Sequence, residues 1–113
     1  MPQDLASIRH QLALLAQRKR ARKLDWPRDW RPHEVLNPLD GQPFTDAGAW
    51  EYIAELLEQG QELEESLQDQ PAGVTAYVMQ VALPDRTLYI KVRLGAGFIL
   101  GRSFHYSDEV TKP

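Results

Sequence analysis

The sequence has no cysteine, which excludes disulfides, thiolate metal sites and a cysteine nucleophile. Nowhere does it approach 18 consecutive apolar residues, so no transmembrane helix is expected. The apolar stretch at residues 12–16 is short and runs straight into Arg18-Lys19-Arg20, unlike a secretory leader. Together these absences predict a cytoplasmic protein. Between residues 33 and 72 there are ten acidic side chains and not one Lys or Arg. The cations are concentrated elsewhere: residues 1–32 carry eight Lys/Arg against three acids, and residues 73–113 carry five against three. The net charge of −3 therefore hides a segregated molecule, on which a basic surface can coexist with an acidic one. In the plainest reading the basic and acidic stretches attract one another or are simply solvated.

At 113 residues, with 42% hydrophobic content, the chain suits one domain with a core large enough to fold unaided. Asp4 is a plausible cap for a first helix over roughly 5–24, with Leu5, Ile8, Leu12 and Leu15 along one face. Its cationic tail, Arg18 to Lys23, would complement the helix dipole. The connector Trp26-Pro27-Arg28-Asp29-Trp30-Arg31-Pro32 cannot be regular helix. Its tryptophans suit either base stacking or clamping a loop to the core. Asn37-Pro38 and Asp40-Gly41 read as turns. Thr45 or Asp46 caps a second helix, with Trp50, Ile53 and Leu57 inward, Glu51, Glu55 and Glu58 outward, and Gly60 just past its end. A short helical turn is expected over Glu62–Leu67, within an acidic helical segment spanning 45–68.

From Val74 the period becomes two. Strands are expected over Val74–Leu83, Leu88–Leu94 and Phe98–Tyr106, joined by Pro84-Asp85-Arg86-Thr87 and Gly95-Ala96-Gly97. The predicted architecture is α+β, with N-terminal helices packed on a three-stranded antiparallel meander over 74–107. In the middle strand Leu88, Ile90, Val92 and Leu94 must face the core, because a slip of one residue would expose all four. Pairing Leu83 with Leu88 adds Tyr77, Met79, Val81 and Leu83 to the core. It leaves Gln80 opposite Lys91. A three-residue Gly-Ala-Gly loop pairs Leu94 with Phe98 and Val92 with Leu100. Gln80, Tyr89, Lys91, Arg93, Ser103 and His105 then share the other face, with Tyr89 opposite Ser103. Arg102 falls on the inner parity, though able to emerge at the sheet margin.

Those residue types suit metal-independent RNA cleavage by internal transesterification. The 2′-hydroxyl needs a base, the departing 5′-oxygen a proton donor, and the phosphate a cation. His105 suits proton transfer near neutrality. Lys91 and Arg93 suit charge stabilisation; Tyr89 suits stacking or donation. The bland reading is an ordinary solvated sheet face. His10 and His33 stand alone and read as surface histidines. No metal-ligand spacing and no cofactor motif is present.

Leu88-Tyr89-Ile90-Lys91-Val92 followed by Ser103-Phe104-His105 resembles the C-terminal hairpin of the MqsR-type, GCU-specific mRNA interferase toxins, which are related in fold to RelE-type ribonucleases. Gln80-Val81-Ala82-Leu83-Pro84 resembles that family's glutamine-bearing strand, with one gap. The resemblance covers roughly residues 74–107. It implies functional roles for Tyr89 and Gln80, a toxin-type endoribonuclease, a substrate of single-stranded or ribosome-bound mRNA, and a cognate antitoxin protein as partner. The family's lysine after Ser-Phe falls on His105, a departure from the pattern. Lys91 joins the set from geometry rather than from the motif. The competing readings are a non-enzymatic antitoxin or immunity-like module, using the acidic helix at 46–65 to cover a basic partner, and a housekeeping domain without catalysis.

Overall fold

The computed structural model describes residues 5–17, 21–23, 29–69, 72–84, 86–94 and 98–107. Helix α1 spans Leu5–Gln17, ending well before the expected residue 24. Ile8, Leu12, Ala13 and Ala16 are its buried residues. Ala21–Lys23, expected as the basic end of that helix, is instead a short strand, β1, and Asp29–Trp30 is a second, β2. Arg18–Arg20, Asp4 and Trp26 lie outside the described residues.

Helix α2, Asp46–Glu58, begins and ends on local signals. The Thr45 Oγ1 accepts the Gly48 amide at 2.9 Å, satisfying one of the first-turn donors. At the other end the Gln61 amide donates to the Leu56 carbonyl and the Gly60 amide to Leu57. Gly60 has a φ of 86°, so the chain turns out of the helix through a conformation that glycine tolerates. The Arg9 Nη1 donates to the Leu57 carbonyl at 3.2 Å, tying α1 to the end of α2.

Past Gly60 the chain departs from the predicted helical turn. Glu64–Asp69 is a strand, β3, paired antiparallel with β4, Ala72–Ala82. Leu63 and Leu67, four apart among glutamates, satisfy a helix locally; pairing with β4 overrides that preference. Strands β5, Thr87–Leu94, and β6, Ile99–Ser107, complete the antiparallel set. The fold is thus α+β, as expected, but its sheet is larger than a three-stranded meander. It runs β1-β6-β5-β4-β3, with β2 also on β6, and β1 and β2 pair parallel to β6.

Strand β6 carries the second departure from the expected register. Leu94 pairs with Ile99 rather than Phe98, and Val92 with Gly101 rather than Leu100. Ile99 is therefore fully buried, while Phe98 and Leu100 are half-buried. The register then shifts beside Lys91 and Val92, leaving Arg102 as an extra residue in β6. Past this bulge Phe104 returns to the core opposite Ile90. Gly101 sits at the bulge because a tryptophan fills the space above it. A Cβ there would lie 2.6 Å from the Trp30 ring. Trp30 in turn stacks on Trp50 at 4.8 Å and meets Phe104 edge-on at 5.4 Å. Of the two connector tryptophans, Trp30 is therefore a core clamp.

One apolar cluster joins Ile8 and Leu12 of α1, Ile53 and Leu57 of α2, and Met79, Leu88, Ile90, Val92 and Phe104 of the sheet. Tyr52 and Tyr77 pack in or against it. Burial, and next the nearby carboxylates of Glu55 and Glu65 respectively, raise their hydroxyl pKa values above the usual 10.0. Among the described residues no helix is long and apolar enough to cross a membrane.

Candidate functional site

Alternation along β4, β5 and β6 sends every second side chain away from the helices. On β5 those residues are Tyr89, Lys91 and Arg93, all half-buried between the fully buried Leu88, Ile90 and Val92. The β4–β5 register is two residues tighter than expected: Val81, not Leu83, faces Leu88. The ladder continues until the Leu83 amide donates to the Arg86 carbonyl, leaving a shorter loop than the four residues predicted. A shift of two preserves parity, so Gln80 keeps its face but lies opposite Tyr89 instead of Lys91.

The one-residue offset at Leu94–Ile99 and the β6 bulge together make a matching two-residue change across the other hairpin. Tyr89 faces His105 directly, and Lys91 faces Ser103. The structure therefore brings Gln80, Tyr89 and His105 into one row across three strands. Val78, Lys91 and Ser103 form the next row, and Ala76, Arg93 and Leu100 the row beyond. The Tyr89 and His105 rings stack with centroids 5.5 Å apart and planes 25° from parallel. The Lys91 Nζ lies 6.0 Å from the Tyr89 ring centroid, at the outer edge of cation–π range. Val78 and Ser103 on either side of Lys91 are short and buried. Arg93 shares this face but is offset from the Tyr89 row by the intervening Lys91 row. Arg102, the bulged residue, is half-buried and stands outside the alternating register.

Hydrogen bonding fixes two of these groups. His105 Nδ1 lies 2.8 Å from the Tyr106 carbonyl oxygen. A carbonyl only accepts, so Nδ1 carries the proton and the lone pair of a neutral ring belongs to Nε2. The Gln80 Nε2 donates to the Glu64 Oε1 at 3.1 Å, and the Gln61 side chain donates to the Gln80 carbonyl. Glu64 is a member of the site that sequence reasoning missed. Its row position depends on residues 64–69 forming a strand, and only the alternation of Glu64, Ser66 and Gln68 hinted at that. Glu64 is three strands from His105, about 14 Å at strand spacing. It therefore acts on Gln80 and not on the atoms that His105 would touch.

Tyr106, also unmarked by the sequence reading, braces the end of this hairpin. Its hydroxyl accepts the Leu36 amide at 3.0 Å, and the Arg86 guanidinium carbon sits 4.1 Å above its ring centroid. Leu36 begins the loop whose turns were legible: Asn37 Oδ1 accepts the Leu39 amide, Asp40 Oδ1 accepts the Gln42 amide, and Gly41 has a φ of 73°. His10 and His33 belong to neither row, and among the described residues no three His, Asp or Glu gather as a metal-binding group.

The arrangement has a base with a defined free nitrogen, a phenol stacked on it and an ammonium on the adjacent row. It can accept a proton, donate one and neutralise an anion within the reach of neighbouring strands. Comparison of the chain with family models, with curated proteins and with solved structures gives no match.

Proposed function

We propose that this chain is a toxin-type endoribonuclease that cleaves mRNA by metal-independent acid/base transesterification on the open face of its sheet. The observation that carries the reading is the Tyr89–His105 stack, with Lys91 one row away. In this reading His105 Nε2 removes the 2′-hydroxyl proton and the oxygen attacks the adjacent phosphorus. Tyr89 donates its proton to the departing 5′-oxygen, and Lys91 offsets the charge that builds on the phosphate. The products are a 2′,3′-cyclic phosphate and a 5′-hydroxyl. Gln80, oriented by Glu64, flanks the reacting centre and contacts a neighbouring nucleotide. Arg93 and Arg102 extend the RNA contact, whereas Ser103, expected to join them, is buried beside Lys91.

The resemblance of the Tyr89–Lys91 strand and Ser103-Phe104-His105 to the MqsR-type toxins supports the same reading, and makes the antiparallel strands a RelE-like sheet. The register adds to this support. Of the three residues aligned with the family's functional positions, Tyr89 is the direct cross-strand partner of both Gln80 and His105. An enzyme of this kind acts in the cytoplasm and is held in check by a cognate antitoxin protein. Induction of the wild-type chain in bacteria should arrest growth, and His105→Ala and Tyr89→Phe should each relieve the arrest. Harmless expression of all three at equal levels would remove the toxin reading.

A further inference from the structure

On the far side of the molecule from the Tyr89 face, α1 and α2 leave an open cleft of about 560 Å³. The two helices run antiparallel: Arg9 reaches the Leu57 carbonyl, and Ala16 lines the cleft with Ala47 and Ala54. These three alanines, from both helices, are what leave the space unfilled. Trp50 also lines it, half-buried, with its ring stacked on Trp30. Glu51, Glu55 and Glu58 form the rim, all exposed.

The rim carboxylates occupy positions i, i+4 and i+7 of α2, so they run about 10 Å along one side of the cleft at helical rise. Residues 33–72 contain no Lys or Arg, so no cation on α2 or its flanks can answer them. None of the three forms an ion pair with another described residue. The floor, by contrast, is apolar and shallow. Alanines admit a neighbouring helix to the usual interaxial distance of about 8–10 Å, and the indole offers a flat surface for the stem or head of a cationic side chain.

We infer that this cleft docks a cationic amphipathic helix of a protein partner, with Lys or Arg at i, i+4 and i+7 meeting Glu51, Glu55 and Glu58, and small apolar residues on the alanine floor. A partner helix repeats cations at the pitch of α2 itself and can bring a small-residue face close to the alanine floor. The site is separate from the sheet face, so docking here leaves Tyr89 and His105 uncovered, and the inference stands whether or not the chain cleaves RNA.

The test uses the full chain and a labelled synthetic alanine-based helical peptide carrying three lysines at i, i+4 and i+7. Fluorescence anisotropy at low and at physiological salt should show binding that weakens as salt rises. A Glu51→Lys, Glu55→Lys, Glu58→Lys triple variant with an unchanged circular dichroism spectrum should lose at least about tenfold in affinity. A peptide with the same lysines at scrambled spacing should bind several-fold more weakly. Failure of the first peptide to bind at low salt overturns the inference. So does equal binding by the triple variant or by the scrambled peptide. Displacement of the peptide by equimolar spermidine would make the cleft a small-cation site and overturn it as well. Binding that appears only in an Arg18→Glu, Lys19→Glu, Arg20→Glu variant would assign the cleft to the chain's own basic segment, again against an external helix.

Discussion

The two faces of β4–β6 are built from alternate residues of the same three strands, yet they answer to different physics. Toward the helices stand Met79, Leu88, Ile90, Val92 and Phe104, fully buried. Away from them stand Gln80, Tyr89, Lys91 and His105, none fully buried, with the Tyr89 and His105 rings stacked and Gln80 hydrogen-bonded to Glu64. The inner face holds the fold through apolar burial, worth roughly 25 cal/mol per Å² removed from water. The outer face contributes little of that. Its Tyr89–His105 pair is worth about 1 kcal/mol as a stack, so its composition is free to serve chemistry.

That contrast is broken most severely by adjacent residues of β6. Phe104→Ala should cost about 3–5 kcal/mol by opening a cavity beneath Trp30 and Phe44. His105→Ala, one residue along, should cost no more than about 1 kcal/mol. Chemical denaturation of the two variants measures both, and similar losses would erase the distinction between the faces. A smaller effect sharpens the role of the bulge. Gly101→Ala places a methyl group against the Trp30 ring, which is itself wedged on Trp50, and should cost about 1–3 kcal/mol with a shift in tryptophan emission. A variant as stable as wild type would mean that Trp30 moves freely.

The smallest expected effect concerns Tyr52 and Tyr77, on the helix side. Their raised pKa values mean that the folded state holds these protons more tightly than the unfolded one. Their contribution is therefore complete below the unfolded value near 10 and is lost as pH rises through the folded values. Absorbance titration should show tyrosines ionising late, with stability declining in that alkaline range. Ionisation of every tyrosine near 10 would contradict their burial.

What the sequence made legible follows the same division. Parity on β5 is dictated locally, because four aliphatics at alternate positions permit one orientation, and so the membership of the open face could be read directly. The limits of α2 were equally local, set by Thr45 and Gly60. Partner identity across the strands was not. The bulge at Arg102 depends on Gly101 making room for Trp30, a residue some seventy positions earlier, and the β4–β5 register was fixed by how tightly the loop after Leu83 closes. The one-residue offset at Leu94–Ile99 and the bulge together turned an expected Tyr89–Ser103 pair into Tyr89–His105, while the β4–β5 shift set Gln80 opposite Tyr89. Glu64–Asp69 reads as helix because Leu63 and Leu67 stand four apart, and its strand exists only through β4. The basic stretch at 21–23 likewise suits a helix end, and only β6 gives it a strand to join.

The most direct measurement is end-group analysis of a defined single-stranded RNA incubated with the purified chain in the presence of chelator. The account expects fragments ending in 2′,3′-cyclic phosphate from the wild type. His105→Ala, folded by circular dichroism at the assay temperature, should form them at least about 100-fold more slowly. Intact RNA with the wild type, or equal cleavage by the variant, would contradict it.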